Sequence, residues 1–556
     1  MIPRLPKRSH LHRLAAILLG TSFFLAGCGV PSPDGPADSF GLDFAMGQDA
    51  EVEGALVFYI DGLNAGIFEE MLTAGQLPAI KKYLADRGMY VPRAVANTPS
   101  VTLANLTSFV TGLFPGHHGV TGINWFDRNS LIWRNYETIA QKNTLDGDYI
   151  AENIYEQFPD RTTFSVFFQP HRGTTKFIEN WTSAGPPFFF GWYEFVDRLT
   201  LHRLGIVADV ARQRQRWPAV TIAYMLSPDF RAYGKGVESD DYRQAILHTD
   251  RQIGRVCGDL ASAGILDKLH LVLVSDHSLM EVTNHFPLDE FLRDDLGLDM
   301  AAKRLWDKTP FEERLAYYRQ FPAVTYGSGD RYWAICLRSQ ERGEGDKPLG
   351  YRPWTLRPSV DDLTDYVASP QNSARLDLIE ELLAQQAVDA VAFAVGPDRV
   401  QVARREGKAE FYQQGGPGAD LSYHLVEGED PFGWTGHVPD GLLDGNPASC
   451  RKWLEATTET QFPDLPSQVI AYFRARRAGD LAVFASPGWD FKDQNRAGHG
   501  GLRPGDMHVP LLIAGPGITP RRINTARSVD VMPTILDLLG RQIPDGLDGQ
   551  TLVSGR

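Results

Sequence analysis

Cysteine is scarce in this chain: there are four cysteines among 556 residues, and no two of them form a Cys-x-x-Cys pair. Apart from Cys28, they are Cys257, Cys336 and Cys450, which are widely separated and odd in number. Such a set builds neither a disulfide framework nor a zinc-thiolate site, because both need several suitably spaced thiols. One disulfide is compatible with the sequence, which does not select the pair.

The chain also lacks an excess of positive charge. Its formal net charge is −14, and its clear basic cluster (Arg4, Lys7, Arg8 and Arg13) lies in a segment that we expect to be removed. This balance argues against a nucleic-acid scaffold. The hydrophobic content of 43% and the charged content of 22% are those of a globular protein. The length allows one large α/β domain with insertions, or roughly two to three ordinary domains.

Residues 1–27 predict a signal peptide. A basic segment precedes the apolar run 14–25, which is too short to span a membrane. The residues Leu25-Ala26-Gly27-Cys28 resemble a bacterial lipobox, and the resemblance implies cleavage before Cys28 and acylation of that cysteine. The alternative is a plain signal peptide that happens to contain a cysteine.

Residues 28–50 predict a flexible tether, because this segment is rich in Pro, Gly, Ser and Asp and has little periodicity. With an acylated Cys28, the protein is expected in the bacterial cell envelope, anchored to a membrane and facing the periplasm. Gly29, rather than an aspartate, follows Cys28 and favours the outer membrane over the inner one.

Three continuously apolar runs predict strands that are buried on both faces of a parallel sheet. The runs, with the residues that follow them, are Gly54–Ile60 before Asp61-Gly62, residues 220–226 before Asp229, and residues 269–275 before Asp276-His277. Ligands of such α/β sheets gather at the carboxyl ends of the strands, where these side chains would lie. Asp61 could instead cap a helix, and Asp276-His277 could be a structural turn.

The stretch from Ala96 to Gly119 predicts a reactive hydroxyl at the start of a helix. Apolar residues recur at helical spacing over Thr102–Thr111, and residues 97–100 supply turn and capping side chains. Thr102 would lie in the first turn, where unpaired N–H groups and the helix dipole favour an anion such as phosphate. The alternative is an N-capped core helix in which Thr102 has no special role.

This stretch carries two spaced motifs, Pro99-x-x-Thr102-x-x-Asn105 and Thr111-Gly112-Leu113-x-Pro115-x-His117-His118-Gly119. They resemble the nucleophile segment of the nucleotide pyrophosphatase/phosphodiesterases, a branch of the alkaline phosphatase superfamily. The resemblance implies an α/β fold: a three-layer αβα sandwich with a mainly parallel central sheet and an inserted cap region. Residues 51–556 would form this hydrolase domain, with insertions at about 128–215 and 285–480. Within the second insertion, the polar segments 340–353 and 413–430 predict surface loops.

The same resemblance implies two divalent metal ions, with zinc expected. The first site would use Asp61, Thr102, Asp276 and His277, and Thr102 would be the metal-activated nucleophile. Asn124 would hydrogen-bond a phosphate oxygen, although it lies one residue later than in some relatives and could be a turn residue.

The second site departs from the family pattern Asp-x-x-x-His-x-x-Gly. Asp229 matches the aspartate, but Tyr233 stands where the histidine is expected. Because the pKa of a phenol is about 10, tyrosine is a poor zinc ligand at neutral pH. His499, in a Gly-His-Gly that precedes an apolar strand, is the expected partner of Asp229, and His508 is its rival.

Tyr233 leaves three outcomes for the second site. The site could be weaker, it could borrow another ligand, or a cation such as Arg231 or Lys235 could substitute for the ion.

The expected function is that of a metal-dependent hydrolase of small phosphate esters, with a phosphodiesterase/nucleotide pyrophosphatase leading. Thr102 would attack phosphorus, and water would hydrolyse the resulting phosphothreonyl intermediate. A phosphomonoesterase and a phosphonate hydrolase are alternatives, and so is a catalytically impaired lipoprotein that only binds substrate, which Tyr233 favours. A sulfatase is disfavoured because Thr102 does not lie in a C/S-x-P-x-R context.

Overall fold

An eight-stranded sheet lies at the centre of the protein. The computed structural model describes residues 53–553 except 139, 179–180, 215, 344–347, 370–373 and 493. Across the sheet the strands lie in the order Arg521–Arg522, Gly88–Val95, His508–Ala514, Leu269–Val274, Gly54–Ile60, Val220–Met225, Thr163–Val166 and Lys176–Ile178. Among these eight, only His508–Ala514 runs antiparallel to its neighbours. The predicted mainly parallel sheet is confirmed.

Helices cover this central sheet on both faces. Alternate residues of Gly54–Ile60 enter two different cores, with Leu56 and Phe58 in one and Val57 and Tyr59 in the other. The first core is closed by helices Ala65–Thr73, Tyr193–Arg214 and Asp240–Ser262, and the second by Thr102–Thr111 and Val531–Leu538. Two-sided coverage explains why the strands read as continuous apolar runs. The arrangement is the predicted αβα sandwich.

A second sheet has seven strands, and all of its pairings are antiparallel. Its strands lie in the order Ala323–Ser328, Tyr332–Leu337, Leu481–Ala485, Val388–Gly396, Arg399–Ala403, Gly407–Tyr412 and Ser422–Gly428. Six of them come from the predicted insertion at 285–480. The insertion boundaries themselves stay predictions, and two short strands from the other insertion, Thr163–Val166 and Lys176–Ile178, join the edge of the central sheet.

Both predicted surface loops contain strands, so those two predictions are wrong as stated. Gln340–Arg342 pairs with Pro348–Tyr351, and Ser422–Gly428 forms the edge strand of the second sheet. The last five residues of Ser422–Gly428 are exposed. Backbone pairing rather than burial therefore holds most of this strand, since even Leu425 and Val426 are about half exposed.

The remaining elements connect and flank the two sheets. Further helices of six or more residues are Trp181–Phe189, Ser227–Lys235, Phe311–Tyr318, Leu378–Leu383, Cys450–Thr457 and Leu465–Arg474. Small sheets pair Asn124–Asp127 with Ile132–Asn135, Tyr366–Val367 with Arg375–Leu376, and Met280–His285 with both Gly488–Asp490 and Ala497–Gly498.

The predicted signal peptide, the acylated Cys28 and the tether at 28–50 lie outside the described residues. Within the described part of the chain, no helix combines the length and the apolarity needed to cross a membrane.

Candidate active site

The carboxyl ends of three adjacent parallel strands bring acidic side chains together. Asp61 directly follows Gly54–Ile60, and Asp276 follows Leu269–Val274 after one residue. Asp229 lies in the first turn of helix Ser227–Lys235, which follows Val220–Met225. Because the three strands are neighbours in parallel register, their ends open at the same edge of the sheet.

Four atoms converge in what we name group one, formed by Asp61, Thr102, Asp276 and His277. His277 Nε2 lies 3.4 Å from Asp61 Oδ1, 3.4 Å from Asp276 Oδ2 and 3.1 Å from Thr102 Oγ1. Ligand atoms bound about 2.0–2.1 Å from a tetrahedral zinc lie about 3.3–3.4 Å from one another. The spacing and the donor set therefore fit a tetrahedral metal ion.

Each acidic side chain of group one has one oxygen that is engaged and one that is not. Asp276 Oδ1 accepts hydrogen bonds from the backbone N–H groups of Gly62 and His277, and Asp61 Oδ2 accepts one from Tyr224. Asp61 Oδ1 and Asp276 Oδ2, the oxygens that face His277, are buried without a hydrogen-bond partner. Buried polar atoms are rarely left in this way, so the pair of free oxygens fits a cation.

A second cluster, group two, consists of Asp229, His277 and His499, which are all buried and close enough to share an ion. The His277 and His499 rings stack 3.5 Å apart with their planes 9° from parallel. Asp229 Oδ1 is a third buried oxygen without a hydrogen-bond partner. The two groups share His277, so they lie side by side.

The two imidazoles are held in the form that binds metals. His277 Nδ1 lies 3.0 Å from the Ser278 carbonyl, and His499 Nδ1 lies 2.7 Å from the Ser100 carbonyl. Because a carbonyl only accepts, each Nδ1 carries the hydrogen and each Nε2 keeps its lone pair. Burial lowers the pKa of both histidines to about 3, so they are neutral at physiological pH.

The acidic side chains raise one another's pKa. Burial raises the pKa of Asp61 well above its usual value, and the charges of Asp276 and Asp229 raise it further. Burial and the charge of Asp276 do the same to the pKa of Asp229. Several negative charges in a buried site repel one another unless a positive charge lies between them. The electrostatics therefore agree with the geometry in favouring bound cations.

Thr102 is the first residue of helix Thr102–Thr111, as predicted, but the helix start is not capped by a side chain. Val101 occupies the N-cap position in an extended conformation. The residues before it serve another purpose: Asn97 binds Asn105 Oδ1, and Ser100 Oγ donates to the Gly501 carbonyl at 3.1 Å. The uncapped N–H groups beside Thr102 remain available to an anion.

Tyr233 points toward group two. Its ring centroid is 5.9 Å from that of His499. Burial raises the pKa of its phenol, and the charges of Asp330, Asp229 and Asp61 raise it further. Without a cation the hydroxyl therefore stays protonated, and it offers no nitrogen lone pair of the kind that the imidazole of the family pattern would supply to a metal.

Other predicted or motif residues have separate contacts. The Asn124 amide donates to the Gly327 carbonyl at 3.1 Å, while its Oδ1 is buried without a partner. His508 Nε2 lies 2.9 Å from the Thr458 carbonyl, which places His508 outside both groups. His118 binds Ser108 in the helix, and His117 binds Asp548.

Tyr224 is a site residue that the sequence analysis missed. It lies beside Tyr59 in the register of the neighbouring strands, and its hydroxyl donates to Asp61 Oδ2. The signal was available, since Tyr224 is a polar-tipped residue near the end of an apolar strand. Its contact depends on strand order, which the sequence did not give.

Comparison with known proteins assigns the chain to a family. The family model for type I phosphodiesterase/nucleotide pyrophosphatase matches residues 55–334, which is half of the chain. Alkaline phosphatase PhoV of Synechococcus elongatus is 32% identical over 114 residues, 20% of each protein. Mouse ectonucleotide pyrophosphatase/phosphodiesterase family member 1 is 25% identical over 225 residues, which are 40% of this chain and 24% of the relative. The matches to these curated relatives thus span about a fifth to a quarter of their lengths.

Solved structures extend the similarity of fold to most of the chain. Human ectonucleotide pyrophosphatase/phosphodiesterase 5 superposes with a TM-score of 0.53 at 15% identity, over 90% of this chain and 97% of the human one. An inactive threonine-to-alanine variant of the murine protein in complex with AMP gives a TM-score of 0.53 at 13% identity, with the same coverage. Because the family model covers half of the chain, the chain belongs to the type I phosphodiesterase/nucleotide pyrophosphatase family.

Proposed function

We propose that this protein is a metal-dependent phosphodiesterase/nucleotide pyrophosphatase that uses Thr102 as its nucleophile. One observation carries the proposal: Thr102 Oγ1 lies 3.1 Å from His277 Nε2, within a group whose other two oxygens are buried and unpaired. A hydroxyl in such a group can be activated, whereas a threonine hydroxyl in water is almost entirely protonated. Membership of the family supports the same activity.

Two divalent ions, expected to be zinc, would be held by the chain. Asp61, Thr102, Asp276 and His277 would hold the first, and Asp229 and His499, with the Tyr233 phenol, would hold the second. When bound, such ions lower the pKa of a hydroxyl and stabilise charge on the leaving oxygen.

The residues of the chain prepare the reaction around these sites. The Ser278 carbonyl fixes the His277 tautomer, so Nε2 faces Thr102. Thr102 Oγ1 forms a bond to phosphorus while the bond from phosphorus to the leaving oxygen breaks. The threonine proton passes to solvent and the leaving oxygen takes one from water. Water then attacks phosphorus, and the bond from phosphorus to Thr102 Oγ1 breaks. Thr102 Oγ1 takes one proton of the attacking water as the phosphate product leaves.

Hydrogen-bond donors would hold the phosphoryl oxygens. The uncapped start of helix Thr102–Thr111 supplies backbone N–H groups. Asn124 is the proposed side-chain donor, which requires its amide to leave the Gly327 carbonyl or to share its hydrogens. The substrate would be a small phosphate ester such as a nucleotide, the class suggested by the AMP complex of the murine relative.

The membrane anchor is a separate proposal that rests on the sequence alone. Acylation of Cys28 would hold the protein in the bacterial envelope, with the outer membrane favoured over the inner one. Labelling of the parent but not of Cys28→Ala by a radioactive fatty acid is the expected result. Equal labelling of the parent and of Cys28→Ala would contradict the proposed acylation of Cys28.

The function is tested with the zinc-loaded full-length chain on bis-p-nitrophenyl phosphate and p-nitrophenyl phosphate. Diester turnover should exceed monoester turnover. In Thr102→Ala the rate of diester turnover should fall by about a thousandfold or more. Thr107→Ala is the matched control, because the Thr107 hydroxyl donates to the Leu103 carbonyl within the same helix. Preference for the monoester would instead assign a phosphomonoesterase.

Tyr233→His restores the family pattern in the same assay. A gain of about tenfold would locate a handicap at the second metal, since imidazole is a better zinc ligand than a neutral phenol. If the parent chain is inactive while Tyr233→His is active, the parent is better described as a substrate-binding lipoprotein than as an enzyme. If both are inert, the proposed substrates or metals are wrong.

A further inference from the structure

A strained turn of the second sheet lies against group two. Gly329 and Asp330 join strands Ala323–Ser328 and Tyr332–Leu337, and both have left-handed backbones, with φ of +67° and +68°. Asp330 is 2% exposed. A left-handed conformation is uncommon for a residue other than glycine, and it persists only where the surroundings enforce it. Such positions concentrate at functional sites.

Backbone contacts hold this turn beside His499. The His499 N–H donates to the Gly329 carbonyl at 2.8 Å, and the Arg331 N–H donates to the His499 carbonyl at 3.0 Å. A Cβ on Gly329 would lie 2.6 Å from His499 Nδ1, so only glycine fits there. Asp330 is therefore fixed next to a residue of group two.

A lysine is anchored on Asp330. The Lys492 ammonium pairs with Asp330 Oδ1, and the Asn495 amide donates to Asp330 Oδ2. The Lys492 side chain is 48% exposed, whereas Asp330 is buried. An ammonium has three donors, so the ion pair fixes its position without using all of them.

The segment that carries Lys492 is also tied to Tyr233. The Arg496 N–H donates to the Tyr233 carbonyl at 2.9 Å, and the Phe491 N–H donates to the Asp330 carbonyl at 2.8 Å. The charge of Asp330 raises the pKa of Tyr233 more than any other charge does. The Lys492–Asp330 pair therefore lies on the side of the site where tyrosine replaces the expected histidine.

The cations named from the sequence are less suitable for this position. Arg231 forms a two-pronged ion pair with Glu194, with both contacts at 2.6 Å. Lys235 is the exposed last residue of helix Ser227–Lys235, two residues beyond Tyr233. Lys492 combines access to solvent with a buried anchor beside His499.

We propose that Lys492 is a substrate-binding residue whose ammonium donates a hydrogen bond to a non-bridging phosphoryl oxygen of the substrate. This inference rests on the proposed function and adds to it a fixed ammonium donor on the side of group two. The Asp330 carboxylate balances the charge of the ammonium and uses only part of its hydrogen-bonding capacity. A charge-assisted hydrogen bond of this kind strengthens phosphate binding by about tenfold or more.

The test uses inorganic phosphate as the probe and the zinc-loaded full-length chain. Calorimetry gives the phosphate Kd, and elemental analysis gives the zinc bound per chain. Lys492→Met should weaken phosphate binding by about tenfold or more with zinc content unchanged. Lys492→Arg should keep most of the affinity, and Lys235→Met, the matched lysine nearby, should change neither quantity. An unchanged Kd in Lys492→Met, or a loss of zinc from it, overturns the proposal.

Asp330→Asn distinguishes two roles for Asp330, as the residue that anchors Lys492 or as a ligand of the second metal. If Asp330 serves Lys492, this variant should bind phosphate less tightly and keep its zinc. If it loses zinc while Lys492→Met binds phosphate normally, Asp330 is the borrowed ligand of the second site and the proposal for Lys492 is wrong. A parent that holds zinc but binds no phosphate overturns both this inference and the proposed function. Normal diester hydrolysis by the parent and by Lys492→Met overturns only the inference.

Discussion

Group one and group two are assembled from different kinds of structure. Asp61 and Asp276 of group one follow neighbouring strands of the central sheet, and their engaged oxygens are fixed by Gly62, His277 and Tyr224. Group two takes Asp229 from a helix and His499 from a loop that the second sheet holds in place. Strand ends leave little freedom to side chains, whereas loops tolerate change. Tyr233, which replaces the metal-ligand histidine of the family pattern, lies beside group two in the helix that also carries Asp229.

The largest expected effect separates the two groups directly. Asp276→Asn removes a ligand from the complete group one, and diester turnover should fall by about a thousandfold or more, since a catalytic metal supplies several kcal/mol. Asp229→Asn removes a ligand from group two, beside which Tyr233 already replaces the histidine of the family pattern, so a smaller loss of about tenfold to a hundredfold is expected. Equal losses in the two variants would contradict the comparison.

Asp250→Asn controls for removal of a buried carboxylate, because Asp250 accepts hydrogen bonds from the backbone N–H groups of Ala79 and Ile80 and belongs to neither group. Activity should be nearly unchanged in this variant. The metal-free form of Asp276→Asn should melt higher than the metal-free parent, because burial raises the pKa of Asp276 and the charged form is costly there. A lower melting temperature of metal-free Asp276→Asn would show that burial of the Asp276 carboxylate does not destabilise the metal-free parent.

An intermediate effect is expected from Tyr224→Phe. Loss of the hydroxyl frees the Asp61 carboxylate to rotate, and the zinc affinity of group one should fall by about 10- to 100-fold, as is usual for partners of metal ligands. Zinc titration against a competing chelator measures this change. Tyr59→Phe is the matched control, since the Tyr59 hydroxyl is buried without a hydrogen-bond partner. If both variants bind zinc equally, Tyr224 does not orient Asp61.

The smallest effect concerns the metal-free chain and its pH dependence. The folded-state pKa values of Asp61 and Asp229 lie well above their usual value of 3.8, so their contribution to stability is complete below about pH 3.8 and is lost as the pH rises through the raised values. The buried histidines act in the opposite direction, but only between about pH 3 and 6.5.

The raised pKa values of Asp61 and Asp229 should make the melting temperature of the chelated chain fall as the pH rises through them, and above about pH 6.5 the histidines no longer oppose this fall. Saturating zinc should abolish the fall. A melting temperature that rises with pH above about pH 6.5 would show that burial of the charged carboxylates does not destabilise the metal-free chain.

The sequence was sufficient to predict the bounds of elements that have a clear local pattern of apolar residues. Gly54–Ile60 and Thr102–Thr111 have the predicted bounds, because a buried strand and an amphipathic helix leave a local pattern. The sequence motifs grouped Asp61, Thr102, Asp276 and His277, and the structure places these four residues close together. The choice of His499 over His508 as the neighbour of Asp229 also agrees with the geometry.

Other features depend on contacts between distant segments, which no local pattern records. Tyr224 meets Asp61 only because their strands are neighbours, and Lys492 meets Asp330 only because two loops close on each other. The edge strand Ser422–Gly428 is held by backbone pairing and its last five residues are exposed, and its few apolar residues form neither a continuous run nor a strict alternation. The antiparallel direction of His508–Ala514 is likewise a property of its pairing with distant strands.

The turn at Gly329 and Asp330 makes the site depend on both sheets. This turn of the second sheet holds the His499 backbone, whereas Asp229 and His277 of group two follow strands of the central sheet. A displacement of the second sheet would therefore move His499 away from its two partners in group two. Group one takes no residue from the second sheet and would keep its spacing.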